Sequence, residues 1–378
     1  MMSDALRITA VDAYRVGIPL CEPYHLSKVY GTLTHCDVVL LRVRTMGGTV
    51  GWGEADPGGR RFTGDTAAEV MDVLRNGVAA GLLGSEVDEW VANACGRELH
   101  GSLGAACDVA AHDALARATD RPLWALLGER QRTAIEVLWP ISSGTAKTDL
   151  EVIQARAAEG FSTIMLKAGD RKVGADLARV RSVCAALPEG VKVMVDANQG
   201  WGYEEALEFV TGAAGLPLLL VEQPLAADDI NGLRQLREIA SMPISVDESL
   251  QTLVQARRII EAEAADVFSI KVSKNGGLRN ALDIADLVRD AGHCVLMNSM
   301  IELGITQSAS LHLGCVLENL IDCGHAYMST LRMADDVTEF SSWVHDGKAH
   351  LGDGAGLGVR VDLERIHRYL LDEHHVQI

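Results

Sequence analysis

Between residues 133 and 322, short apolar runs alternate with amphipathic helical patterns, and few folds accommodate that alternation. The runs read IEVLW, FSTIMLK, VKVMVD, LPLLLVE, PISVDE, VFSIK, HCVLMN and LENLID, with helical patterns such as 148–159, 203–213, 228–240 and 277–291 between them. Their continuous hydrophobic character fits strands covered on both faces, as parallel strands are. The expectation is therefore an α/β chain with parallel strands closed into a TIM-type barrel. A doubly wound sheet is the alternative, but no strand here is followed by a Gly-rich phosphate turn. GDGAGLG at 352–358 is not GxGxxG and has no strand–helix context, so it reads as a loop.

The first third has a different texture. Residues 6–20 and 36–45 alternate in β fashion, TMGG at 45–48 is a turn, and helical patterns cover 64–83 and 101–118. RPLWALLG at 121–128 reads as a short helix closed by Gly128. This is an α+β unit of three strands and helices. The chain divides at 1–130, 131–345 and 346–378, with the last segment returning to the first unit.

Acids outnumber bases 52 to 34, for a net charge of −18. With no basic stretch, neither nucleic acid nor an anionic membrane surface is an expected partner. The longest apolar run, Leu216–Val221, contains a proline and is too short to span a bilayer. Eight cysteines are scattered without a CxxC pair, which reads as reduced, buried thiols, and Asp4 and Arg7 argue against a signal peptide. A cytoplasmic protein is expected.

Chemistry in a barrel of this kind gathers at the C-terminal ends of the strands. Five successive runs end in Lys167, Asp196, Glu222, Asp247 and Lys271. The acids are spaced 26 and 25 residues apart, one strand–helix repeat each time, so their side chains should converge. Three oxygen donors without Cys or His suit a hard cation, Mg²⁺ or Mn²⁺. Taken singly, each acid is equally readable as a helix cap and each lysine as an ordinary salt-bridge partner. Met297 and Met300 read as core.

The segments MLKAG, VDANQGW, VEQPL, SVDES and IKVSKNGGL, with GWGEA, WALLG and GLGV elsewhere, resemble the enolase superfamily in its muconate-lactonizing subgroup. The resemblance covers nearly the whole chain. It implies a modified (β/α)₇β barrel carrying an N-terminal α+β capping domain, Mg²⁺ as cofactor, and a homo-oligomer. Carried over by position, Asp196, Glu222 and Asp247 match the metal ligands, and Lys167 and Lys271 match bases on opposite faces of the substrate. Asn198, Gln199, Glu248, Lys274 and Glu302 match positions around them. Three departures stand out. Met165 replaces the first lysine of the KxK motif, Asn298-Ser299 replaces a glycine pair, and Asp322-Cys323-Gly324-His325 does not match the paired-Asp signature of dipeptide epimerases.

Such a site implies removal of a proton α to the carboxylate of a small acid through a metal-stabilised enolate. Racemisation, epimerisation, cycloisomerisation and β-elimination of a hydroxy acid all share that step, and a catalytically silent metal-binding homologue is a further alternative. Substrate choice should fall to capping segments 21–32 and 56–65, which include Tyr24, His25, Lys28 and Tyr30, with Gly58-Gly59 as a hinge. His325 and Glu302 are expected to contact substrate. No HExxH, GxSxG or Walker motif is present.

Overall fold

The computed structural model describes residues 2–93, 99, 101–142 and 144–378, so Cys95 lies outside it. Strands β1 (Ile8–His25), β2 (Thr32–Thr45) and β3 (Val50–Ala55) form an antiparallel meander. The helical pattern at 64–83 is realised in two pieces, Ala67–Val73 and Ala79–Leu82. Thr66 and Glu69 start the first with a capping box. Between the pieces Gly77 sits at φ 124°, outside any helical region, and the axis breaks there. Gly128 follows the one-turn helix Trp124–Leu127 in an extended conformation rather than a left-handed cap.

The alanine-rich helix Gly101–Ala118 lies against β3 because both surfaces lack side-chain bulk. A Cβ on Gly53 would stand 1.9 Å from the Ala106 carbonyl oxygen, and one on Gly51 would stand 2.1 Å from that of Ala110. Gly53→Ala should therefore force helix and strand apart and lose at least about 1–3 kcal/mol, read as a lower urea midpoint.

The first barrel run splits into β4 (Ala134–Glu136) and β5 (Leu138–Ile141). From β5 the barrel proceeds through β6 (Thr163–Lys167), β7 (Lys192–Asp196), β8 (Leu218–Glu222), β9 (Ile244–Val246), β10 (Val267–Ile270) and β11 (Cys294–Met297), all parallel neighbours in that order. The eighth position differs from the expected LENLID strand. There LENLID is reduced to the isolated parallel bridge Val295↔Leu320, and the bridge Val137↔His325 joins the following residues to the chain entering β5. Ala326 N donates to Met297 O at 3.0 Å, and Leu138 N donates to His325 O at 2.9 Å. The result is a modified TIM barrel with an N-terminal capping domain.

β12 (Val344–His345) and β13 (Lys348–His350) form a small antiparallel sheet with β4. The chain then returns, and β14 (Leu370–Gln377) adds antiparallel to β1, giving the capping sheet a fourth strand and the order β14-β1-β2-β3. The seven described cysteines are free thiols. Not all are buried, as composition led one to expect: Cys21 is exposed, and Cys184 and Cys294 are half-buried. No helix among the described residues is long and apolar enough to cross a membrane.

Candidate active site

Register brings the charged strand ends together. Lys167, Asp196 and Glu222 are direct partners across β6, β7 and β8, so their side chains leave the same end of the barrel. Asp247 follows β9 by one residue and Lys271 follows β10 by one. The three acids are fully buried, with a lysine at each end of their row.

Each outer acid is ion-paired. Lys167 Nζ bonds Asp196 Oδ2, while Asp196 Oδ1 accepts the Asn198 N–H at 2.8 Å. Lys271 Nζ lies 2.7 Å from Asp247 Oδ2. Lys274 Nζ donates to Asp247 Oδ1 and to Asp247 O, both at 2.6 Å, and to Ser269 O at 3.2 Å. The middle acid lies within the field of both lysines. Glu222 Oε1 accepts from Asn298 Nδ2 at 2.8 Å, and Glu222 Oε2 is buried without a hydrogen-bond partner among the described residues.

The electrostatics follow from this layout. Burial, then the charges of Asp196 and Asp247, push the Glu222 carboxyl well above its ordinary range. Burial alone would raise Asp247, but Lys271 and Lys274 hold it below that range. Burial disfavours both flanking ammoniums, yet Asp196 beside Lys167 and Asp247 beside Lys271 outweigh it and raise both lysines. Lys274 is lowered by burial and by neighbouring Lys271 despite its bond to Asp247. Burial and then Asp247 and Asp196 push Glu248 up to about 7. Three buried carboxylates with two flanking lysines thus form a site whose acids repel one another and favour the ammonium form of both lysines.

Could these residues hold a divalent cation? As they stand, no three acidic, His or Cys side chains among the described residues close into a ligand cage, because Asp196 and Asp247 are turned onto the lysines. The donor set is nonetheless all oxygen, and the partnerless Glu222 Oε2 and Asn198 Oδ1 sit within it. A hard cation would satisfy both the charge and the orphaned acceptors. The residues fit Mg²⁺.

The turns after the strands are conformationally costly. Asn198, Gln199 and Gln223 have φ of 41°, 61° and 33°. Non-glycine residues rarely adopt such values without compensating contacts. Gln223 supplies several, accepting from Asp247 N at 2.9 Å and Ser249 N at 3.1 Å while donating to Ser249 Oγ at 2.8 Å. Gln199 donates to the Tyr30 hydroxyl at 2.5 Å and accepts from Ala227 N at 2.8 Å. Asn198 Nδ2 donates to Glu248 Oε1 at 3.3 Å.

Above the acids is a narrow cleft, part of it open to solvent. Lys167 and Lys271 both line it, with Asn198, Asn298 and Ser299. The capping domain roofs each lysine with an aromatic ring: the Tyr24 centroid is 6.0 Å from Lys167 Nζ and the Phe62 centroid 5.7 Å from Lys271 Nζ. Phe62 in turn stacks on Tyr30 at 3.7 Å. Ser27 Oγ anchors the first capping segment by donating to Asn198 O at 2.8 Å. Ser273 Oγ anchors the second by accepting from Asp56 N at 3.1 Å.

Several expected contacts lie elsewhere. His25 is exposed, its Nδ1 2.8 Å from Thr32 Oγ1. His325 is buried at the level where the chain enters β5; its Nδ1 accepts from Met297 N at 2.9 Å, and burial lowers its pKa to about 3. It is a neutral brace between barrel strands. Glu302 is fully buried and does not line the cleft, because the backbone reverses at Ile301 (φ 75°) and turns its carboxylate onto Ser299 Oγ. Met300, read as core, does line the cleft, whereas Met297 is core.

Sequence reasoning missed Gln223, Phe62 and Arg179. Arg179, in helix Val173–Cys184, donates to Lys167 O at 2.6 Å and Asp149 Oδ2 at 2.6 Å, pinning the end of β6. Gln223, directly after a strand-end acid, and Phe62, within the capping segment 56–65, offered a signal; Arg179 offered none.

Residues 149–366 match the family described as enolase C-terminal domain-like, and residues 8–128 match the mandelate racemase/muconate lactonizing enzyme N-terminal domain. The chain belongs to the enolase superfamily. Its relatives place it in the muconate-lactonizing subgroup. It is 31% identical over 373 residues to a chloromuconate cycloisomerase of Cupriavidus necator, covering 96% of this chain and 99% of the relative. It is 30% identical to the L-Ala-D/L-Glu epimerase of Bacillus subtilis, covering 80% and 84%. The crystal structure of a muconate lactonizing enzyme from Pseudomonas fluorescens complexed with muconolactone superposes with a TM-score of 0.91 at 28% identity, covering 97% of this chain and 100% of that one. These superfamily relatives are isomerases.

Proposed function

We propose that this superfamily member is a Mg²⁺-dependent isomerase that moves a proton on the carbon α to a carboxylate. Asp196, Glu222 and Asp247 would hold the ion, and Lys167 and Lys271 would serve as the two bases. The observation that carries this reading is the placement of the lysines. They stand at opposite ends of one row of acids, line one cleft and are each covered by one aromatic ring.

When bound, Mg²⁺ supplies positive charge that neutralises the acids and stabilises negative charge developing on the substrate carboxylate. One lysine, as the free amine, takes the α proton while the electron pair passes into the carboxylate. The other, as an ammonium, returns a proton to the opposite face. Tyr24 and Phe62 keep water from the two Nζ atoms, and burial then favours a neutral amine once the carboxylate charge is compensated. Arg179 and Lys274 hold the end of β6 and Asp247 in place.

Two bases suit racemisation or epimerisation. Cycloisomerisation, which needs one, is the second reading, favoured by the cycloisomerases among the relatives. β-Elimination and a silent scaffold are not favoured, since the relatives are isomerases and both lysines are retained. A test is α-deuterium uptake from D₂O by N-acyl amino acids, dipeptides, hydroxyprolines and muconolactone, with and without Mg²⁺. No Mg²⁺-dependent uptake by any of them would reject the proposal. A homo-oligomer and a cytoplasmic location complete it, on composition and family resemblance; a monomer by light scattering at micromolar concentration would count against the first.

Asn298, at a position where the resemblance expects glycine, bears on the metal. It donates to Glu222 Oε1 and, at 2.9 Å, to Ser269 Oγ, leaving Glu222 Oε2 free to face an ion. Outer hydrogen-bond partners of metal ligands are typically worth about 10–100-fold in affinity. Asn298→Ala should weaken Mg²⁺ binding by about that factor in a calorimetric titration.

A further inference from the structure

We infer that the substrate is a small monocarboxylate whose remaining substituents are neutral and mostly apolar, an inference that rests on the proposed proton abstraction. The cleft's polar lining is Lys167, Lys271, Asn198, Asn298, Ser299 and the Tyr24 hydroxyl. Lys167 and Lys271 are its only charged lining residues among those described, and both belong to the acid row. The apolar part of the wall includes Leu26, Leu33, Phe62, Leu138, Met300 and Met328.

The capping segments do carry charge, but the structure turns it away from the cleft. Lys28 Nζ is 3.8 Å from Glu205, Arg60 is paired with Glu69, and Arg61 donates to Val29 O. Arg332, the cation against the other side of this wall, is committed to Pro140 O at 2.9 Å with its guanidinium 4.1 Å from the Tyr24 centroid. It lines a neighbouring cavity instead. Nothing in the described wall would pair a second carboxylate or an ammonium on the substrate, and an unpaired charge there would be stripped of water without compensation. Muconates, with a carboxylate at each end, and zwitterionic dipeptides are therefore poor fits to this cleft, although relatives of this chain include enzymes named for them.

A matched set tests this without changing the reacting carbon. N-acetyl-leucine, N-succinyl-leucine and N-alanyl-leucine, as both leucine enantiomers, present neutral, anionic and cationic distal ends. With saturating Mg²⁺, deuterium uptake at the leucine α carbon should give a kcat/KM for the N-acetyl compound at least about 100-fold above the two charged ones. Leu33→Arg, which sets a cation at the half-buried rim of the wall, should shift the N-succinyl to N-acetyl ratio upwards at least about tenfold. Equal or faster exchange of a charged member by the unmodified protein would overturn the inference and leave Mg²⁺-dependent proton abstraction standing. No exchange of any member at saturating Mg²⁺ would count against both.

Discussion

In D₂O with Mg²⁺, Lys271→Ala should still exchange the α proton of the one enantiomer that Lys167 serves, yet fail to convert it. Lys167→Ala should show the mirror behaviour. Removal of a general base typically lowers rates by about 10²–10⁴, so each variant should lose interconversion while keeping exchange on one face. The two variants should differ in the absence of Mg²⁺. Without Lys271, Asp247 keeps Lys274 at 2.6 Å; without Lys167, Asp196 keeps the Asn198 N–H at 2.8 Å but loses its ammonium. Breaking a buried pair by removing one partner typically costs about 3–5 kcal/mol, so metal-free Lys167→Ala should melt lower than metal-free Lys271→Ala. A one-base cycloisomerase would behave differently, with one variant losing all exchange. Near-wild-type turnover in both variants would exclude the two-lysine mechanism. Met165→Lys is a useful companion, since Met165 lines the cleft and partners Met194 beside the Lys167–Asp196 pair.

The second large effect concerns Glu222. Chelation should abolish activity, Mg²⁺ or Mn²⁺ should restore it, and Glu222→Gln should be inactive under all three conditions. Loss of an outer partner of a ligand costs about 10–100-fold, so loss of the ligand itself should exceed about 100-fold. Thermal melting then separates metal binding from folding. The buried Glu222 carboxylate faces Asp196 and Asp247, and the glutamine still offers Oε1 to Asn298. Metal-free Glu222→Gln should therefore melt no lower than metal-free wild type. Wild type should gain about 2.7 kcal/mol from Mg²⁺ at a hundred times its dissociation constant, and the variant should lose most of that gain. Full activity of wild type in excess chelator would refute the metal role.

The barrel and its charged rim were legible because they are local and repeated. An apolar run buried on both faces reads directly as a strand, and a charge at its last residue marks where the strand meets solvent or substrate. The 26- and 25-residue spacings of Asp196, Glu222 and Asp247 then needed only parallel register to converge, which β7, β8 and β9 supply. The residues that escaped sequence reasoning share the opposite property, since their roles depend on contacts between distant parts of the chain. Phe62 faces Lys271 only after the capping domain docks, and Arg179 reaches the end of β6 only after its helix packs on the barrel.

His325 and Glu302 show the limit most clearly. By position both belong to strand ends at the barrel mouth, but closure through the isolated Val137↔His325 bridge sets the histidine at the entrance to β5, and the left-handed Ile301 turns the glutamate inwards. The sequence by itself determined the α/β barrel, the N-terminal α+β unit and the five ionisable strand ends, because periodicity and spacing are properties of the chain. Tertiary structure alone decided which way each loop side chain points and what shares its cavity. A single residue's register or backbone dihedral reverses that direction, and only long-range packing selects among such conformations.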